Sequence, residues 1–148
     1  MKKIIFLKSG NYWKEFSYEK ISELKKELSD RSISISTDSD VNNSYIGSGS
    51  TVLDGSRVDG STVLNGSTVL NGSTVLNGST VLNGSTVLNG STVDGSRVDG
   101  STVDGSTVLN GSRVLNGSRV DGSRVDGSTV LNGSTVLNGS TVDGSRVD

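Results

Sequence analysis

The chain has 148 residues, 14 basic and 16 acidic side chains, a formal net charge of −2, and 20 Gly, but no Cys, His or Pro. Without Cys or His there are no disulfides, no thiolate or Ser-His-Asp catalysis, and none of the usual zinc or iron–sulfur ligand sets. A charge so near zero supplies no general attraction to nucleic acid or to an anionic membrane.

Residues 1–34 read as a capping element of their own. Met1-Lys2-Lys3 begins like a signal peptide, but the apolar run Ile4-Ile5-Phe6-Leu7 stops at Lys8, short of a signal core. No stretch approaches the ~18 apolar residues of a membrane span. The expectation is a soluble protein, cytoplasmic by default, with a phage or cell-surface particle as the other setting. Residues 3–7 suit a strand, Ser9-Gly10-Asn11 a turn, and residues 12–16 a second strand, which together make a hairpin. Ser17 is placed to cap a helix over residues 17–28, with Glu19 in its first turn and Tyr18, Ile21, Leu24 and Leu28 on one face. Extended structure resumes over residues 32–37. A ββα unit this small buries little alone. It is expected to lie over an open end of the following region and cover backbone groups left unpaired there. Tyr12, Trp13 and Phe16 are expected to pack beneath the helix rather than to bind a partner.

Near residue 48 the vocabulary collapses. Cut before each Gly-Ser, residues 49–148 form eighteen units. Ten have six residues, mostly Gly-Ser-Thr-Val-Leu-Asn, and eight have five, Gly-Ser-Thr-Val-Asp or Gly-Ser-Arg-Val-Asp. Length and last residue are linked: six-residue units end in Asn and five-residue units in Asp, with Val52-Leu53-Asp54 the one exception. Ile35, Val41 and Ile46 precede Val52 at the same spacing, so three degenerate units extend the pattern over residues 35–148, about twenty-one units in all.

Within each unit, Ser and Val lie two apart, so in a strand they share one side while Thr or Arg takes the other. Asn-Gly and Asp-Gly tolerate positive φ and end each unit in a tight bend. Three-residue strands are too short for a stable meander of hairpins. The same bend repeated every five or six residues instead winds the chain into stacked, parallel coils with Val over Val and Ser over Ser. The predicted fold is mainly β: a single-stranded parallel β-solenoid whose units bury their apolar side only by stacking. A disordered low-complexity tail is the competing reading, opposed by the β-branched content and the low net charge.

Val69 with Ser67, Val75 with Ser73 and Val81 with Ser79 carry a resemblance to the hexapeptide-repeat proteins, in which an aliphatic residue recurs every six positions with a small residue two places before it. That resemblance implies a left-handed parallel β-helix with three short sides per turn. The five-residue units depart from it. Ser101-Thr102-Val103-Asp104-Gly105 looks more like a pentapeptide repeat, a family of four-sided coils. Three sides are favoured, and four also fit the unit lengths.

Many proteins of the hexapeptide-repeat family are acyltransferases that use a His in a cleft between coils. This chain has no His, and its units carry no insertion that could shape a cleft. The recurring Asp94, Asp99 and Asp104 read as turn formers rather than as an acid/base pair or a calcium ladder. Gly47-Ser48-Gly49-Ser50-Thr51-Val52 lacks the third Gly of a dinucleotide loop and reads as a flexible lead-in to the array. Arg57, Arg97, Arg113, Arg119, Arg124 and Arg146 face outward, and all but Arg113 are followed two residues later by an Asp that neutralises them. With three sides, one outer face reads Thr51, Thr68, Thr86, Thr102, Arg119, Thr135. Its single Thr column, broken by Arg, argues against an ice-binding plane. No catalytic, cofactor-binding or metal-binding residue is singled out, and no cofactor is expected. The expected role is a non-enzymatic scaffold, spacer or fibre segment, able to self-associate as a homo-oligomer or end to end at Val147-Asp148. The alternative is a degenerate acyltransferase-like protein that binds a small ligand at a subunit interface.

Overall fold

We describe the fold from a computed structural model covering residues 2–115, 117–131, 133–137 and 140–148. The chain opens with an antiparallel hairpin of β1 (Lys3–Ser9) and β2 (Tyr12–Tyr18). The two-residue loop between Ser9 and Tyr12 is made possible by Gly10 at φ 62°. A 3-10 turn, Ile21–Leu24, then leads into the one-turn helix α1, Lys25–Ser29. Three short strands follow: β3 (Ser34–Ile35), β4 (Asp40–Asn42) and β5 (Ser44–Ile46).

The helix starts later than the sequence suggests. Ser17 lies inside β2, because the hairpin stays paired as far as Lys3 with Tyr18. Glu23 sets the start instead. Its carboxylate accepts the Lys20 backbone N–H at 3.2 Å, and its own N–H donates to the Lys20 carbonyl at 3.0 Å, half of a capping box. The four residues expected on one helical face, Tyr18, Ile21, Leu24 and Leu28, are nonetheless all buried.

From β3 onward each strand pairs in parallel with the strand three units further along, so the coil has three sides and the four-sided option falls away. On the first side, Ile35 stacks on Val52, Val69, Val87, Val103, Val120 and Val136. The second side begins at Val41 with Val58 and Val75, and the third at Ile46 with Val63 and Val81. The hairpin belongs to the third side, where β1 pairs in parallel with β5 and sets Leu7 beside Ile46. Every array valine from Val52 to Val130 is 0 % exposed, forming one dry column, and the serines from Ser50 to Ser128 are buried beside it. Removing each Val from water is worth roughly 1.5–3 kcal/mol. The column exists only because neighbouring coils cover one another.

At the N-terminal end, the backbone that opens the second side is closed by side chains. The Tyr18 hydroxyl donates to the Val41 carbonyl, the Asn42 side chain accepts the Ile4 N–H at 3.2 Å, and the Lys3 ammonium lies 2.7 Å from Asp40. Burial and the Asp40 charge push the Tyr18 phenol up to about 12. Gly47 is a packed corner rather than a flexible lead-in. A Cβ there would stand 3.1 Å from Leu64 Cδ2 and 3.2 Å from Leu64 Cα, so any larger residue would make the next coil give way by a few tenths of an ångström.

Candidate functional site

The features that recur along the molecule are its corners and its outward faces. Two corner types exist, and unit length selects between them. After a six-residue unit the last residue and the following Gly both have positive φ, as in Asn77 at 55° and Gly78 at 76°. The next Ser N–H donates back to the Leu carbonyl, as from Ser79 to Leu76 at 3.1 Å, a type I′ arrangement. After a five-residue unit only the Gly is left-handed, as in Gly95 at 56°. Asp54, the one Asp that ends a six-residue unit, has φ 59° and follows the Asn pattern. Length, not the amide, sets the bend.

The corner type decides where the inner hydroxyls point. After a five-residue unit the Ser N–H is not used in a turn, and it donates to the Ser Oγ of the coil before. Ser96 donates to Ser79 at 3.2 Å, Ser106 to Ser91 at 3.1 Å and Ser123 to Ser106 at 3.0 Å. Where six-residue units lie over six-residue units that donor is missing, and the buried hydroxyls of Ser56, Ser67 and Ser73 have no partner.

Side chains at the corners form ladders running along the coil. Asn65 donates to Asn83 at 3.1 Å, and Asn83 to Asp99 at 2.5 Å. Asn71 donates to Asn89 at 3.0 Å, and Asn89 to Asp104 at 2.5 Å. Asn77 reaches Asp94 at 2.7 Å, and Asn110 reaches Asp126 at 2.6 Å. Asn83 and Asn89 thus each accept from one coil and donate to the next.

On the outer faces, all five Arg–Asp pairs expected two residues apart are present, at 2.6–2.8 Å. Arg119 also reaches Asp104 at 3.5 Å, between two stacked carboxylates. Arg113, whose second neighbour is Leu115, makes no ion pair among the described residues. The bond from Arg97, joined by that from Asn83, holds the Asp99 carboxyl below the usual carboxylate range. Asn110 and Arg124 do the same for Asp126, whereas the Asp partners raise Arg57, Arg119 and Arg146. The Thr face falls in the register expected, with Thr51, Thr68, Thr86 and Thr102 followed by Arg119 and Thr135. Each strand contributes a single outward Thr to it. Among the described residues, no three carboxylates gather as a metal-holding group.

Two features lie at the hairpin end. Phe6 and Tyr45, register partners on the third side, stack with ring centroids 4.5 Å apart, and Trp13 meets Tyr45 edge-on at 5.1 Å. Of the three aromatics expected beneath the helix, only Phe16 packs against the core. Trp13 joins the outer cluster and Tyr12 is 63 % exposed. Because Trp13 and Phe16 are three apart in a strand, they point to opposite faces of the hairpin. The helical reading missed Phe6 and Tyr45, whose contact depends on β1 joining the first coil. On the first side, an open groove of about 630 Å³ lies between α1 and the first coil, lined by Ile21, Lys25, Leu28, Ile33, Ile35 and Leu53 among others. No helix among the described residues is long and apolar enough to cross a membrane.

Compared with known proteins, residues 59–93 match a family described as a Schizosaccharomyces pombe repeat of unknown function (DUF963). The match spans 35 of the 148 residues, all within the repeat array, and shows what that stretch is similar to. No curated protein and no solved structure matches the chain. The described residues of the chain form a three-sided parallel β-solenoid with a hairpin and a short helix at its N-terminal end.

Proposed function

We propose that this chain is a non-enzymatic structural rod that acts as a spacer, a fibre segment or a scaffold presenting its outer faces. The observation that carries this reading is the unbroken valine column from Val52 to Val130, identical in form from coil to coil. From Val52 to Val130 the units commit their Ser and Val to the interior and turn Thr or Arg outward, the Arg paired with Asp except at Arg113. Such a structure gains length by adding units while its cross-section stays the same. The hexapeptide-repeat resemblance supports the same reading through its three short sides. Residues 1–34 fit the role of a cap, since the hairpin and Tyr18 pair with the backbone of the first coil.

At the other end, strands Thr135–Leu137, Thr141–Asp143 and Arg146–Val147 have partners on one side only within this chain. Homotypic self-association, as a homo-oligomer or end to end, belongs to the proposal. Light scattering during size exclusion tests that part: mass rising with concentration supports it, and a strict monomer at high concentration contradicts it. For the rod itself, the test is a thermal-shift screen of acyl carriers and nucleotide sugars combined with small-angle scattering. A rod-shaped particle that no ligand stabilises is the expected result. Saturable stabilisation by a small molecule would replace the scaffold reading with a binding one.

A further inference from the structure

We propose that Asn77, Asn83, Asn89 and Asn110 are deamidation sites gated by the coil: protected while the coils are stacked, and a lasting obstacle to restacking once they have reacted. Each precedes a Gly, the neighbour that least hinders attack of the backbone nitrogen on the side-chain amide, and Asn is among the residues lost to such chemistry. In that reaction the Gly nitrogen, its proton taken by hydroxide, bonds to Asn Cγ. Nδ2 leaves as ammonia. Water then opens the succinimide to Asp or isoaspartate, so that one water is consumed and one ammonia released.

In the folded coil both reacting groups are engaged elsewhere. The nucleophilic N–H of Gly78 donates to the Gly60 carbonyl at 2.9 Å, that of Gly84 to Asn65 at 3.1 Å, that of Gly90 to Asn71 at 2.9 Å, and that of Gly111 to Gly95 at 3.1 Å. The leaving amides of the four Asn donate to Asp94, Asp99, Asp104 and Asp126. Opening the coil releases both groups together.

The product is not neutral to the fold. At these four corners the amide's partner in the next coil is a carboxylate, so conversion replaces a donor with a like charge at hydrogen-bond distance. Asn77 is the clearest case, because its unit partner Asp94 follows Thr92 rather than an Arg that could bridge two carboxylates. Asn65 and Asn71 differ, since their acceptors are the amides of Asn83 and Asn89.

The test uses the full chain. It is held at mildly alkaline pH in buffer and, in parallel, in denaturing urea, and the amide-to-acid mass gain is followed in tryptic peptides 58–97 and 98–113. These two peptides carry all six Asn-Gly pairs among the described residues. Gain about tenfold or more slower in buffer supports gating, since reaction then waits on local opening. Equal rates, with the chain folded by circular dichroism, overturn it. The product half of the proposal is read in variants. Asn77→Asp is expected to lower Tm by about 2–4 °C more than Asn65→Asp at neutral pH, and the gap should close once the carboxylates are protonated. Equal losses, or a gap that persists in acid, contradict the charge argument.

Discussion

Coils in which six-residue units lie over six-residue units, around Ser67 and Ser73, can be set against those in which they meet five-residue units, around Ser79 to Ser106. Both share the valine column, the Thr positions and the parallel register. They differ in polar connection. Upstream, the Ser56 and Ser67 N–H groups close their own turns, the corner amides face amides, and three buried hydroxyls lack partners. Downstream, the shorter bend frees the Ser N–H to reach the previous coil, and each corner amide meets a carboxylate. After a five-residue unit, then, the Ser N–H bonds between coils instead of within its own, whereas the Ser118 N–H, after a six-residue unit, does both. Mixing the two lengths therefore ties successive coils together without altering the core.

The largest expected effect should be equal in the two regions. Val69→Ala and Val108→Ala should each cost about 1.5–3 kcal/mol in denaturant unfolding, since both side chains are fully buried. A marked difference would show that the column is not uniform. The serines should then separate the regions. Ser79→Ala removes a hydroxyl that accepts from Ser96 and donates to the Leu76 carbonyl at 2.6 Å, and should cost about 1–3 kcal/mol by stranding buried groups. Ser73→Ala removes a hydroxyl with no partner and should be near neutral or stabilising by the same measurement.

Length comes next. Deleting residues 66–83, three whole six-residue units, returns every later unit to its own side. Circular dichroism should show the β signal retained and scattering a shorter rod, whereas loss of the β signal would contradict additive stacking. Acid should have the smallest effect, felt in the mixed coils and at Asp38 in the first coil, whose carboxyl is held below its ordinary value by a hydrogen bond from Ser36. Asp99 and Asp126 have lowered folded values, so their contribution is present above the ordinary carboxylate range and is lost as pH falls through the folded value. Hydrogen exchange resolved along the chain should then quicken downstream before it does upstream. At the cap the sign is reversed. Tyr18 is raised from 10.0 to about 12, so stability should fall as pH rises above 10, a step that Tyr18→Phe should abolish.

Much of the array was legible because one period governs it. Ser-x-Val fixed the inside, the recurring Arg-x-Asp fixed the ion pairs, and the spacing favoured three sides, as observed. The helix start was not legible. Ser17 has the chemistry of a cap, but pairing of Tyr18 with Lys3 across the hairpin decided its conformation. Gly47 looked like loose linker because what crowds it is Leu64, seventeen residues away in the next coil. The two corner types were visible as a correlation between length and last residue. Only the backbone at Asp54 separates the two variables. The aromatic cluster at Tyr45 escaped the sequence reading for the same reason as Gly47: its members meet only through stacking.

Cysteine pairs provide the most direct test of three units per turn, because the chain has no native Cys to interfere. Thr68 lies beside Thr86, three units on, in a parallel strand pair whose spacing suits a disulfide. Thr68→Cys with Thr86→Cys should therefore cross-link on mild oxidation, while Thr68→Cys with Thr92→Cys, four units on, should not. Preferential linkage of the second pair, or equal linkage of both, would contradict the three-sided coil on which every other statement about this molecule depends.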